Sequence, residues 1–395
     1  MSGLNMAERS DRLVRESIQR RWAGAFSPAG HIDWVLLVSA LLLTIVGFVM
    51  VGGATANDPA VVEGSGNVYV ERQVIAFLLG LAAGAVTTLF DYRNFRAWSV
   101  VAYGVALVLL VAVLIPGIGA EVNGAQAWFR IGPLQFQPAE FAKIAIILVL
   151  AAHFHEYREE ALGMRALVEA LAFALFPMLL ILLQPDFGTF IVFAVIVAGV
   201  LLMAGVHLRY MLALVAGSIA ACVAALQLGI VKEYQLDRLT AFLDPENIDA
   251  LGAGYNVVQA QIAVGSGRFF GQGLGSGSQT LSGFVPESQT DFIFTVVGEQ
   301  TGFVGSMLVL ILFGLLLWRS LRIAALSRDM FGTLIAAGVI SVFAFQMFIN
   351  VGMAIGIMPV TGLPLPFISY GGTSLITSWV LVGLLENVHM RRYTT

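Results

Sequence analysis

The sequence predicts an all-α, polytopic integral membrane protein of about ten transmembrane helices, and three observations carry that expectation. Apolar runs of roughly 20 residues, enough to cross a hydrocarbon core, recur along the chain. Hydrophobic residues make up 58% of the 395 residues and charged residues only 12%. A soluble domain would carry roughly a quarter charged residues to cover its surface. Arginines and lysines collect in alternate connections, as the positive-inside bias requires.

The first run, Trp34–Gly53, follows a polar, Arg-rich stretch with no signal peptide, so residues 1–33 read as a cytoplasmic tail. The next spans are Val74–Phe90, Trp98–Gly117, Pro138–Ala152, Leu167–Leu183, Phe187–Val206 and Tyr210–Ile230. A long connection, 231–291, leads to Phe292–Trp318, Phe331–Ile357 and Thr373–Val388. The fourth span is short and carries charges. Residues 34–390 thus form one transmembrane domain, and 391–395 a second cytoplasmic tail.

Orientation follows from the basic residues. With the N-terminus inside, the cytoplasmic side holds Arg9, Arg12, Arg15, Arg20, Arg21, Arg93, Arg96, Arg158, Arg165, Arg209, Arg319, Arg322, Arg328, Arg391 and Arg392. The outer side holds Arg72, Arg130, Lys232, Arg238 and Arg268, a bias of about three to one. One missed span would scramble the later loops, so the count is even. A net charge of −4 gives no basic face for nucleic acid. Cys222, the single cysteine, lies in an apolar run and reads as a packing residue.

All five histidines (His31, His153, His155, His207 and His389) fall near cytoplasmic ends. Acid–base chemistry outside therefore falls to a carboxylate, and no His/Cys set is available there for zinc. Asp58, Glu63, Glu233, Asp237 and Asp249 sit among polar neighbours. Asp291 stands where PESQTD meets a long apolar run. Partial desolvation suits it to a general base, and capping the eighth span is the equal alternative. Glu299 and Gln300 lie two turns further in and face the bundle interior if that helix is continuous.

Asp186, in the tight turn after Gln184-Pro185, reads first as the N-cap of span six. Glu140 and Lys143, three apart on span four, form either a structural ion pair or a substrate contact. Trp128 suits a headgroup-level anchor. Within the long loop, VVQAQIAVGSG is apolar enough to form a short helix at the membrane surface, rather than leaving a structureless connector. GSGRFFGQGLGSGSQ completes neither nucleotide-loop pattern, so no nucleotide cofactor is expected. PLPFISYGG suits a helix-breaking or re-entrant segment lining a cavity.

Five groups of segments in fixed order carry a resemblance: NGAQAWF with FQPAEFAK, QPDFGT, FLDPENIDALGAGYN with QIAVGSG, PESQTDFIF with GEQTGFVG, and MPVTGLPLPFISYGGTS. They resemble the SEDS family (shape, elongation, division and sporulation), from the first span to the last. LDP followed by LGAGYN, and TGLPLPF, resemble the elongation-type rather than the division-type members. The resemblance implies a peptidoglycan glycosyltransferase polymerising lipid II at the outer face of the bacterial inner membrane, working with a class B penicillin-binding protein in the elongation machinery. It places the family's essential aspartate on Asp291, and substrate-binding roles on Trp128, Asp186, Glu140, Lys143 and Glu287. Arg238, Lys143, Arg130 or a divalent cation (Mg or Mn) would meet the leaving pyrophosphate. Many relatives carry a basic residue where this chain has Ala127; Arg130 lies just beyond Trp128. A lipid II transporter is the rival class.

Overall fold

Each apolar run is a helix in the computed structural model, which describes residues 31–57, 61, 67–122, 125–131, 134–157, 163–229 and 253–392. In order these are α1 (Trp34–Ala54), α2 (Val68–Leu89), α3 (Asn94–Val113), α4 (Pro138–Glu156), α5 (Met164–Leu183), α6 (Phe187–Ala204) and α7 (Leu208–Gln227). There follow α8 (Ala253–Ser266), the short α9 (Ser278–Leu281), α10 (Ile293–Ala325), α11 (Met330–Ala354) and α12 (Gly372–Met390). Among the described residues nine helices are long and apolar enough to cross a membrane. The tenth expected span is α12, which carries Glu386, Asn387 and His389 in its last turns. It is buried nearly throughout, so these groups meet protein instead of lipid. It lies close along α2, because a Cβ at Gly84 would come within 2.6 Å of the Trp379 carbonyl oxygen.

The same logic accounts for α4. Almost every residue from Pro138 to Phe154 is buried. A helix that meets no lipid can carry Glu140, Lys143 and His153 and still sit at membrane depth. Its weak apolar signal marks the interior of the bundle.

Bonds between helix termini show one end of the bundle. Arg319 Nε donates to Asp33 Oδ2 at 2.7 Å, and the Asp33 amide donates to Glu386 Oε2 at 3.0 Å. Tyr92 Oη donates to Asp329 Oδ2 at 2.9 Å, and Asn387 Nδ2 to the Phe90 carbonyl at 2.8 Å. The start of α1 and the end of α12 therefore lie together, as an even number of spans requires. The tail 1–30 and residues 230–252, Arg238 among them, lie outside the described residues.

Two features differ from the sequence reading. A three-stranded antiparallel sheet, β1 (Ala120–Val122), β2 (Ala125–Ile131) and β3 (Leu134–Phe136), fills the connection between α3 and α4. β1 and β3 are too short to show a period of their own, and β2, AQAWFRI, lacks a clean apolar–polar alternation. The eighth span is also broken: Gly302 has φ 65° and ψ −159° inside α10. Irregular backbone at membrane depth survives only where its polar groups find partners in the protein. The glycine-rich loop supplies them. Gln272 N donates to Glu299 O at 2.9 Å and Gly273 N to Gln300 O at 3.1 Å, while Phe303 N donates to Arg268 O at 2.9 Å and Val304 N to Phe269 O at 3.2 Å. Gly271, at φ 81°, allows this approach, since a Cβ there would overlap the Gln300 carbonyl. The expected surface helix within the long loop is α8; its Val257, Ala260 and Ala263 are buried, and it packs against α10 and α11.

Candidate functional site

Asp291 ends the turn leading into α10 and is half-buried. The capping position of α10 falls on Phe292, one residue later. Within the turn Glu287 adopts a left-handed φ of 52° and is exposed, and Thr290 Oγ1 donates to Glu287 Oε2 at 2.9 Å. Three successive carbonyls of this turn then receive donors from elsewhere. Tyr370 N reaches Gln289 O at 2.9 Å, Ser369 Oγ reaches Thr290 O at 2.7 Å, and Asn350 Nδ2 reaches Asp291 O at 2.7 Å.

Those donors belong to α11 and to the segment joining it to α12. That segment, 357–371, is not helical, yet Leu363, Leu365, Phe367 and Ile368 are buried in the bundle. Gln73 Nε2 on α2 meets the Ile368 carbonyl at 3.2 Å, so the intruding backbone is partnered. This is the helix-breaking segment expected from PLPFISYGG. Gly362, at φ 72°, turns its Cα face toward Asp291: a Cβ there would stand 3.5 Å from Asp291 Oδ2.

Asp186 lies across the same segment. It caps α6, accepting from Thr189 N at 2.9 Å and Thr189 Oγ1 at 2.8 Å, as its position after Gln184-Pro185 implies. It also accepts from Gln137 Nε2 at 3.0 Å. Two residues on, a Cβ at Gly188 would stand 2.5 Å from the Thr361 carbonyl, so α6 begins directly against Thr361–Leu363. Gln137 is a crossing point: its amide donates to Thr373 Oγ1 at 3.2 Å, and that hydroxyl donates to Gln135 O at 2.6 Å. The starts of α4, α6, α10 and α12 are thereby gathered at one end of the bundle.

Lys143 Nζ stands 2.7 Å from Glu140 Oε1, with side chains 2% and 5% exposed. The pair is real and interior. Glu140 Oε2 is buried and has no partner among the described residues. Trp128 is on β2 opposite Ala120, half-buried. Alternation along a strand puts Arg130 on the Trp128 face and Ala127 on the other. Ala127 is 1% exposed, so Arg130 does not occupy its place. Glu299 is fully buried and accepts from Gln279 N at 2.7 Å and Thr280 N at 3.0 Å, capping α9 from the broken half of α10.

Asn350, Ser369 and Gln137 do not stand out in the sequence as site residues. Asn350 has a usable signal, being a carboxamide one turn from Gln346 within an apolar span. Among the described residues no three His, Cys, Asp or Glu side chains group closely enough to hold a metal ion.

The family model for FtsW/RodA/SpoVE cell cycle proteins matches residues 33–394. The chain belongs to this family. Its QPDFGT, PESQTDF and TGLPLPF segments are those just described at the Asp291 end. A relative from Trichlorobacter lovleyi, "Probable peptidoglycan glycosyltransferase FtsW", is 38% identical over 357 residues, covering 90% of this chain and 92% of its own. A solved structure described as "Structural coordination of polymerization and crosslinking by a peptidoglycan synthase complex" matches at TM-score 0.78 and 33% identity, covering 92% of this chain and 99% of that one. The rod shape determining protein RodA of Thermus thermophilus matches at TM-score 0.68 and 31% identity, covering 92% and 98%. The SEDS fold thus extends over nearly the whole chain, which is a multi-pass membrane protein.

Proposed function

We propose that this chain polymerises lipid II into glycan strands at the outer face of the bacterial inner membrane, with Asp291 as general base. It is a peptidoglycan glycosyltransferase. One observation carries the reading: the QPDFGT, PESQTDF and TGLPLPF segments converge on a half-buried carboxylate at one end of the bundle. By the arginine bias that end faces outward, with both termini cytoplasmic.

In the proposed step Asp291 takes the proton of the acceptor sugar's 4-hydroxyl. The freed oxygen bonds to the anomeric carbon of the donor glycan; the bond from that carbon to the pyrophosphate oxygen breaks, and undecaprenyl pyrophosphate leaves with the electron pair. General-base help of this kind contributes roughly 10²–10⁴ in rate. Arg130, on the Trp128 face, Arg238, Lys143 beside its Glu140 partner, or a divalent cation would meet the pyrophosphate. Glu140 Oε2, buried and with no hydrogen-bond partner among the described residues, is the acceptor this reading assigns to a substrate hydroxyl or amide donor. Trp128, Asp186 and Glu287 complete the substrate contacts.

LDPENIDALGAGYN and TGLPLPF favour cell elongation and rod-shape maintenance, with a class B penicillin-binding protein as partner; a division-type role is the alternative. The break in α10 is the feature that favours transport of lipid II instead. Glycan polymerisation in detergent separates these classes, because no membrane remains to flip across. Wild-type protein with its partner should make polymer, and Asp291→Ala should make none while staying folded. Full activity in that variant would sink the assignment.

A further inference from the structure

We propose that Asn350 and Ser369 are positioning residues which fix the Asp291 carboxylate against Gly362, so that the α11–α12 segment, more than α10, sets the base. This rests on Asp291 being the base.

Asp291 precedes the first residue of α10, and the cap position of that helix makes no side-chain capping bond. The turn closes on itself through Thr290 N and Phe292 N, which donate to Glu287 O at 3.1 and 3.2 Å, and it is tied down from across the bundle. Asn350 is 0% exposed and spends both its amide hydrogens there: one bond goes to Asp291 O at 2.7 Å and one to Leu363 O at 2.9 Å. Ser369, 4% exposed, does the same by another route. Its hydroxyl donates to Thr290 O at 2.7 Å and accepts from Leu365 N at 2.7 Å. Each side chain therefore ties the turn carrying the base to the Leu363–Leu365 stretch. Gly362, the wall facing the carboxylate, immediately precedes that stretch.

The consequence is geometric. Two buried cross-ties hold the backbone of the base and its facing wall together, so that the two move as one unit. Buried bonds to carbonyls keep their geometry because breaking one strands a polar group away from water. Neither side chain touches the reacting atoms. Their effect lies in how well the proton acceptor is aimed.

The test uses purified full-length protein with its partner, lipid II in detergent, and four variants: Ser369→Ala, Ser369→Thr, Asn350→Leu and Asp291→Ala. Steady-state kinetics are read across pH, alongside the thermal unfolding midpoint. Ser369→Ala should lower kcat roughly tenfold to a hundredfold, the penalty for a misaimed catalytic group. KM for lipid II should stay within about twofold, and the acid limb of the kcat–pH profile should move. Ser369→Thr keeps the hydroxyl and should restore most of kcat and the original limb. Asn350→Leu should behave like Ser369→Ala; if it does not fold, the two Ser369 variants decide alone. A lowered unfolding midpoint with kcat and pH profile unchanged in Ser369→Ala, while Asp291→Ala is dead, would overturn the positioning role and leave the base assignment standing. Polymerisation by Asp291→Ala would overturn the base assignment and this inference with it.

Discussion

Replacing Lys143 by methionine should strand the buried Glu140 carboxylate, whereas replacing both partners together should not. The Nζ–Oε1 distance is 2.7 Å, which corresponds to about 6 kcal/mol of attraction at an effective dielectric near 20, before desolvation is charged against it. With side chains 2% and 5% exposed, that desolvation is nearly complete for both partners. Removing one of them leaves a buried charge unpaired, at a typical cost of roughly 3–5 kcal/mol. Glu140 Oε2 has no described partner to soften the loss. Lys143→Met and Glu140→Gln should each lower the unfolding midpoint in detergent, by on the order of 10 °C. The double variant replaces the pair by neutral groups of similar volume and should recover most of that stability, showing an interaction energy of roughly 3 kcal/mol. Its polymerisation of lipid II should stay low, since the substrate contact proposed for Glu140 is gone. Additive single effects would refute the buried-pair argument, and a fully active double variant would refute the substrate contact.

Gly362→Ala forces an L-residue to a left-handed φ of 72°, costing roughly 1–2 kcal/mol, and sets a methyl in contact with Asp291 Oδ2 at 3.5 Å; kcat should fall with KM little changed in the lipid II assay. Glu299→Ala removes the acceptor of the Gln279 and Thr280 amides. Each orphaned amide costs roughly 1–3 kcal/mol, so hydrogen exchange should quicken over α9 while α4 stays protected. In the α2–α3 turn, burial first and then the neighbouring Asp329 carboxylate raise the Tyr92 phenol well above its ordinary pKa of about 10. A phenol raised in the folded state stabilises fully below that ordinary value and loses its contribution as pH climbs beyond it. Unfolding midpoints should therefore fall above roughly pH 10, and Tyr92→Phe should flatten that fall.

Much of the site is legible in the sequence. Asp291 stands out as a carboxylate at the mouth of an apolar run, on a face without histidine, and the family resemblance selects it. Asp186 is legible as a cap, but its second bond, to Gln137, is not, because those residues are 49 apart in the chain. The break in the eighth helix is hidden for a different reason. Residues 293–325 are apolar on both sides of Gly302, and hydropathy does not register a reversal of one φ angle. The small sheet carrying Trp128 is equally silent: β1 and β3 have three residues each, and the seven of β2, AQAWFRI, show no clean apolar–polar alternation.

The sequence by itself determined how many times the chain crosses the membrane and where the arginines fall between crossings. Both are additive, local properties: the length of an apolar run against a fixed bilayer thickness, and charges counted loop by loop. Only the tertiary structure decided which polar groups meet. Asn350 reaches Asp291 across 59 residues, and Thr373 reaches Gln135 across 238. Inside a membrane bundle every irregular stretch of backbone must find donors and acceptors in other segments. The partners that hold Asp291 are set by how helices pack, and one segment read alone does not carry that information.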